Sequence, residues 1–122
     1  MVRLFSMHSL KCRFDQGTST SWSGSKPKTS SAHTAQDVVI DAINIKYQSA
    51  RAIGQAGARD VKVFPDRMGL SFMELAPAVV DLVTVFSVYG KDHDFIAVRT
   101  RHTMVSGVSI ADQYYGACQI VR

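Results

Sequence analysis

The sequence predicts a single α/β domain, a mixed sheet with helices packed on it, in the order β-β-β-α-β-α-β followed by a tail. Three patterns carry that expectation. Side chains alternate in polarity from Leu10 to Asp15, as a half-buried strand requires. Val39, Ile43, Tyr47, Ala50 and Ile53 recur at helical spacing. Ser71-Phe72-Met73-Glu74 has the serine-to-glutamate interval of a capping box, which opens helices.

Residues Met1 to Met7 can form a first strand, with His8 and Ser9 at a bend. In the next, Leu10, Cys12 and Phe14 face one way and Lys11, Arg13 and Asp15 the other. Asp15-Gln16-Gly17 is a turn signal, because glycine accepts positive φ and aspartate bonds its own backbone. A returning strand, Thr18 to Ser23, carries Trp22. From Gly17 to Thr34, 12 of 18 residues are Ser, Thr or Gly, and Lys26-Pro27-Lys28 is set among them, which is linker composition. Thr34 is a good N-cap for a helix from about Ala35 to Ala56, ended near Gly54 and Gly57. Asp60 to Phe64 is a short strand closed by Pro65-Asp66. The capping box opens a second helix from Ser71 to about Val80, which Pro77 keeps short. Leu82 to Tyr89 is β-branched or aromatic enough for a strand, ended by Gly90-Lys91-Asp92. Phe95 to Val105 alternates again, and Ser109 opens a weak helix from Ile110 to Val121.

Composition bounds the function. With 122 residues, 46% hydrophobic and 20% charged, the chain has globular composition and one domain's length. Its 14 Lys+Arg against 10 Asp+Glu give a net charge of +4. That excess lies wholly in residues 1–33, where Arg3, Lys11, Arg13, Lys26 and Lys28 face Asp15 alone, so an anionic partner would meet the amino end first. Cys12 and Cys118 stand far apart, with no signal peptide ahead of them and no CxxC spacing, and read as free, partly buried thiols rather than a disulfide or a metal site. The longest apolar stretch, Leu75 to Tyr89, is interrupted by Pro77 and Asp81 and falls short of the roughly 20 residues of a membrane helix, so no membrane is expected. The basic, Ser-rich opening also suits a transit peptide. Strand alternation in Leu10 to Phe14 favours a sheet instead, so the mature protein is expected to keep its amino end, with Phe14 and Trp22 ordered.

At Asp15 to Gly24 (DQGTSTSWSG) the chain resembles the small-subunit ribosomal protein eleven family, in which a D-x-Q-G-N turn leads into S-W-S-S-A-G. The likeness continues through the loop bearing Lys26 and Lys28 to Thr34-Ala35-Gln36, where the family's A-A-Q begins its first long helix. Ala42-Ile43, Gly57 with Val61-Lys62-Val63, and Gly69-Leu70 match later family positions. The resemblance covers about residues 10 to 90. It divides the chain into a family-like domain, residues 1–90, and a diverged C-terminal extension, residues 91–122, where the family's D-V-T-P-x-P-H-N-G-C-R ending is missing.

The resemblance implies a ribonuclease H-like fold and a structural role on the platform of the small ribosomal subunit. The implied partners are small-subunit ribosomal RNA and neighbouring platform proteins, with no cofactor, no small-molecule substrate and no enzymatic activity. Its degree of divergence is similar to that of mitochondrial ribosomes, with a cytoplasmic bacterial-type ribosome as the lesser choice. A free-standing RNA-binding α+β module is the alternative.

The expected RNA contacts follow from the chemistry of phosphate. Lys26 and Lys28 supply charge, Ser21, Ser23, Ser30 and Ser31 supply hydroxyls, and His33 leads into the free amides of a helix N-terminus. Trp22 reads either as a core residue or as a platform for a base. Arg13 and Arg67 add cations. Arg99 and Arg101 share a strand face, where they can straddle successive phosphates or shield a sheet edge. Asp92-His93-Asp94 has the residue types of an acid–base or metal site but sits in a turn, where they are common. No nucleophile motif, P-loop, GxGxxG or HExxH occurs.

Overall fold

Every segment expected to be helical folds as strand. The computed structural model describes residues 7–33, 35–55, 57–90 and 94–121, and among them there are nine strands and no helix. These are β1 (Leu10–Ser23), β2 (Lys26–Ala32), β3 (Gln36–Asn44), β4 (Ser49–Gly54), β5 (Gly57–Pro65), β6 (Gly69–Ala76), β7 (Val79–Tyr89), β8 (Phe95–Val105) and β9 (Val108–Ile120). Neighbours pair antiparallel in the order β2-β1-β3-β4-β5-β6-β7-β8-β9, and β1 pairs back with β9. The result is a closed antiparallel barrel of eight strands, β1 and β3 to β9, with β2 attached outside it. The expected mixed sheet with helices, of ribonuclease H type, is corrected on this point.

Local chemistry explains the correction. Helical spacing at Val39, Ile43, Tyr47, Ala50 and Ile53 coexists with period-two alternation, and the barrel uses the latter: Val38, Ile40, Ala50 and Ala52 point inward. Asn44 breaks the run, its Oδ1 accepting the Tyr47 amide at 3.0 Å in the turn to β4. The supposed capping box is spent on cross-strand contacts: the Ser71 and Thr84 hydroxyls lie 3.1 Å apart, and Glu74 Oε2 lies 3.1 Å from Arg59 Nε. At the far end, Ser106 and Gly107 take φ of 51° and 79°, the two left-handed residues of a tight hairpin, and turn β8 into β9 where a weak helix was expected.

Strand β1 runs the full height of the molecule. Its first part, Leu10 to Phe14, pairs with β3, its second, Gly17 to Ser23, pairs with β2, and β9 flanks both. Asp15-Gln16-Gly17 is therefore no reversal. A register shift between Phe14 and Gln16 absorbs the irregularity as a bulge, which bends β1 onward past the barrel. Opposite it, a Cβ on Gly116 would run into the Arg13 carbonyl, so the seam requires glycine there.

The same seam holds Cys12 and Cys118, directly opposite each other on β1 and β9, fully buried and joined by a disulfide. The expectation of free thiols fails because distance in sequence says nothing about distance across a closing seam. Around the disulfide the inner wall is apolar: Leu10, Phe14, Ile40, Val63, Leu70, Val85 and Phe95 are buried. Phe14 is ordered in this core as expected, whereas Trp22 lies outside it, 38% exposed. β8 and β9, which follow residue 91, complete the barrel wall.

Candidate ligand site

Four adjacent strands change character at one level of the barrel. On β5 the inward residues run Val63, Val61, Arg59; on β6, Leu70, Phe72, Glu74; on β7, Val85, Val83, Asp81; on β8, Phe95, Ala97, Arg99, Arg101. Register places Glu74 opposite Asp81 and Asp81 opposite Arg101. Inward phase is thus kept while apolar residues give way to charged ones.

These charges are tied together. Arg99 donates Nε to Asp81 Oδ1 at 3.1 Å and Nη2 to Oδ2 at 2.7 Å, a two-pronged pair with side chains only 12% and 8% exposed. Its remaining Nη1 donates to Gln36 Oε1 on β3 at 3.0 Å, bracing the mouth across the lumen. Arg59 and Glu74 form a second pair at 3.1 Å, but the Arg59 Nε–H makes no hydrogen bond, so the contact is coulombic. Arg101 Nε is also buried, and it has no hydrogen-bond partner.

The arrangement lines a cavity of about 320 Å³ opening at this end of the barrel. Val38, Ile40, Val61, Phe72 and Val83 contribute an apolar floor, and Arg59, Glu74, Asp81, Arg99 and Arg101 a charged rim. Three guanidinium groups stand at this level among three carboxylates of the inward phase, Glu74, Asp81 and Asp112, the last directly opposite Arg101 on β9. Asp37, also at the rim, is paired on the outside with Arg13 at 3.3 Å. The site therefore keeps a buried donor without a partner beside its paired charges, above an apolar floor.

The residues expected to touch RNA fall into separate places. Arg99 and Arg101 lie inside the mouth rather than on an open sheet edge, since the barrel leaves β8 paired on both sides. Lys26, Lys28, Ser30 and Ser31 are exposed on β2, a strand where a linker was expected; Ser21, Trp22 and Ser23 end β1, and His33 follows β2. Arg13 is on the outer wall and Arg67 in the turn between β5 and β6. His33 precedes a strand, so no helix N-terminus stands behind it. Asp92 and His93 lie outside the described residues. Gln36, Arg59, Glu74 and Asp81 were not singled out as a site. Their signal was present: a charged residue in the inward phase of an otherwise apolar strand, most visibly Asp81 within Leu75 to Tyr89.

Comparison with known protein families, with curated proteins and with solved structures finds no match for this chain.

Proposed function

We propose that this protein binds a small amphipathic anion, a carboxylate or a close equivalent, in the charged mouth of its barrel. The observation that carries this reading is Arg101 Nε, buried and without a partner at the rim of the cavity. A buried guanidinium donor left unpaired costs stability, and an anion entering the mouth would satisfy it. The cavity volume lies within the usual range of small-ligand sites, and its apolar floor suits a hydrocarbon body behind the anionic head. The Cys12–Cys118 disulfide supports folding in an oxidising compartment, in contrast to the mitochondrial ribosome expected above.

Titration calorimetry of the full chain with benzoate and hexanoate, against the neutral benzamide and hexanamide, tests the reading. The carboxylates should bind and the amides should not, and Arg101→Met should weaken carboxylate binding by about 10- to 100-fold, the worth of one charge-assisted hydrogen bond. Equal behaviour of acids and amides, or no binding by either, overturns it.

RNA binding remains a second reading with one observation in its favour. Lys26 and Lys28 are exposed opposite Ser23 and Ser21, on the sheet face that also carries Arg101, so the hairpin of β1 and β2 presents two cations beyond the rim. The helices that the ribosomal family likeness would supply have no counterpart, because Gln36 and Ser71 both lie within strands. If the hairpin holds single-stranded RNA, Lys26→Glu with Lys28→Glu should flatten the salt dependence in a filter-binding titration by about 0.7 per lost phosphate contact. An unchanged slope removes this reading.

A further inference from the structure

Strands β5 to β9 point six charged side chains inward at the mouth: Arg59, Glu74, Asp81, Arg99, Arg101 and Asp112. Four of them are engaged in pairs, Arg99 with Asp81 at 2.7 Å and Arg59 with Glu74 at 3.1 Å. The other two, Arg101 on β8 and Asp112 on β9, stand directly opposite each other, where opposite charges ordinarily close into a cross-strand pair. They do not close. Neither forms an ion pair or a side-chain hydrogen bond with any described residue. Arg101 lines the cavity and buries its Nε there, whereas Asp112 is outside the lining and stays half-buried beside it. On its other side Asp112 faces Ser19 of β1, which brings no charge.

We infer that the mouth takes a zwitterion, an apolar α-amino acid whose carboxylate meets Arg101 and whose ammonium meets Asp112. The inference rests on the carboxylate reading of the mouth and names the rest of the ligand. Charge balance favours it. The six inward charges sum to zero, so a bare carboxylate would carry a net negative charge into a half-buried site and rest beside Asp112, which repels it. A zwitterion adds no net charge. It satisfies the buried Arg101 donor and gives Asp112 the cation that no side chain of the protein supplies. Spacing favours the α arrangement. Residues directly opposite on neighbouring strands have Cβ atoms about 4.5–5.5 Å apart, so the two ligand charges must lie close together, as they do on a single α-carbon. The apolar floor of Val61, Phe72 and Val83 then receives the side chain. A bare amine fits less well, because it leaves the buried guanidinium donor unanswered.

Titration calorimetry of the full chain with L-phenylalanine, 3-phenylpropanoate and phenethylamine tests the proposal, since the three share one apolar body and differ only in their charged groups. Phenylalanine should bind about tenfold tighter than 3-phenylpropanoate, the worth of one charge-assisted hydrogen bond, and phenethylamine at least about tenfold more weakly than phenylalanine. Asp112→Asn keeps the size of the side chain and removes its charge. It should weaken phenylalanine about tenfold and tighten 3-phenylpropanoate, opposite signs that misfolding cannot imitate. If 3-phenylpropanoate binds the wild-type chain as tightly as phenylalanine, the zwitterion is overturned and the carboxylate reading stands, whatever the variant does. If neither acid binds, both fall. Equal weakening of the two acids by Asp112→Asn also overturns the proposal, by making Asp112 a purely structural residue. So does phenethylamine that matches phenylalanine, which would make the ligand a cation.

Discussion

The two ends of the barrel interior obey the same geometry and different chemistry. At one end, inward positions hold Leu10, Ile40, Val63, Leu70, Val85 and Phe95 around a disulfide, a water-free plug of the kind alternating strands ordinarily build. At the other, the same inward phase on β5 to β8 holds Arg59, Glu74, Asp81, Arg99 and Arg101 around a cavity. Burying ions costs several kcal/mol each in desolvation, and apolar residues of similar volume would serve packing equally well or better. The plug is thus explained by folding alone. The mouth is not, and its buried ions, with the unpartnered Arg101 Nε among them, are the part of the interior that points to a ligand.

The first way to break the contrast is at the plug. Cys12→Ala with Cys118→Ala removes a link between residues 106 positions apart, and the chain-entropy account puts the loss of stability at about 5 kcal/mol for a loop of that order. Urea unfolding of the double variant should show the midpoint fall accordingly. A loss below about 1 kcal/mol would mean that the β1–β9 ladder alone holds the barrel shut and that the disulfide is incidental to the plug.

Much of the strand content was legible in the residues, and the closure was not. Leu10 to Asp15, Asp60 to Phe64, Leu82 to Tyr89 and Phe95 to Val105 all read as strands and all fall within strands. The helix expected from Ala35 to Ala56 failed because apolar residues three and four apart also occur in segments that alternate, and the one expected at Ser71 because a serine-to-glutamate interval serves cross-strand pairing equally well; only the partner strand decides. Nothing local could pair Cys12 with Cys118 or β1 with β9, because ring closure is a contact between the two ends of the chain. Arg99 and Arg101 were singled out as a same-face pair, which they are, but their side of the sheet became an interior only when the barrel closed. Asp81 was legible merely as an interruption of an apolar run. Its partner Arg99 lies 18 residues further on, across a turn whose length the sequence does not reveal.

The second way to sharpen the contrast is to remove the Asp81–Arg99 pair from the mouth, first one member and then both. Asp81→Ala leaves Arg99 buried with only Gln36 to receive one of its donors, and breaking one side of such a pair should cost about 4 kcal/mol in urea unfolding. Asp81→Leu combined with Arg99→Met replaces both ions by apolar groups of comparable size. If the pair exists for the ligand rather than for the fold, that double variant should recover stability to within about 1 kcal/mol of the wild type or exceed it, while its affinity for benzoate falls. The sign of the coupling between the two sites decides the matter. A double variant no more stable than Asp81→Ala would show that the ion pair shapes the barrel itself, and a single variant costing less than about 1 kcal/mol would show that water reaches the pair and that the mouth is not a low-dielectric site. Only recovery together with lost affinity marks the mouth as a place where folding stability is given up for binding.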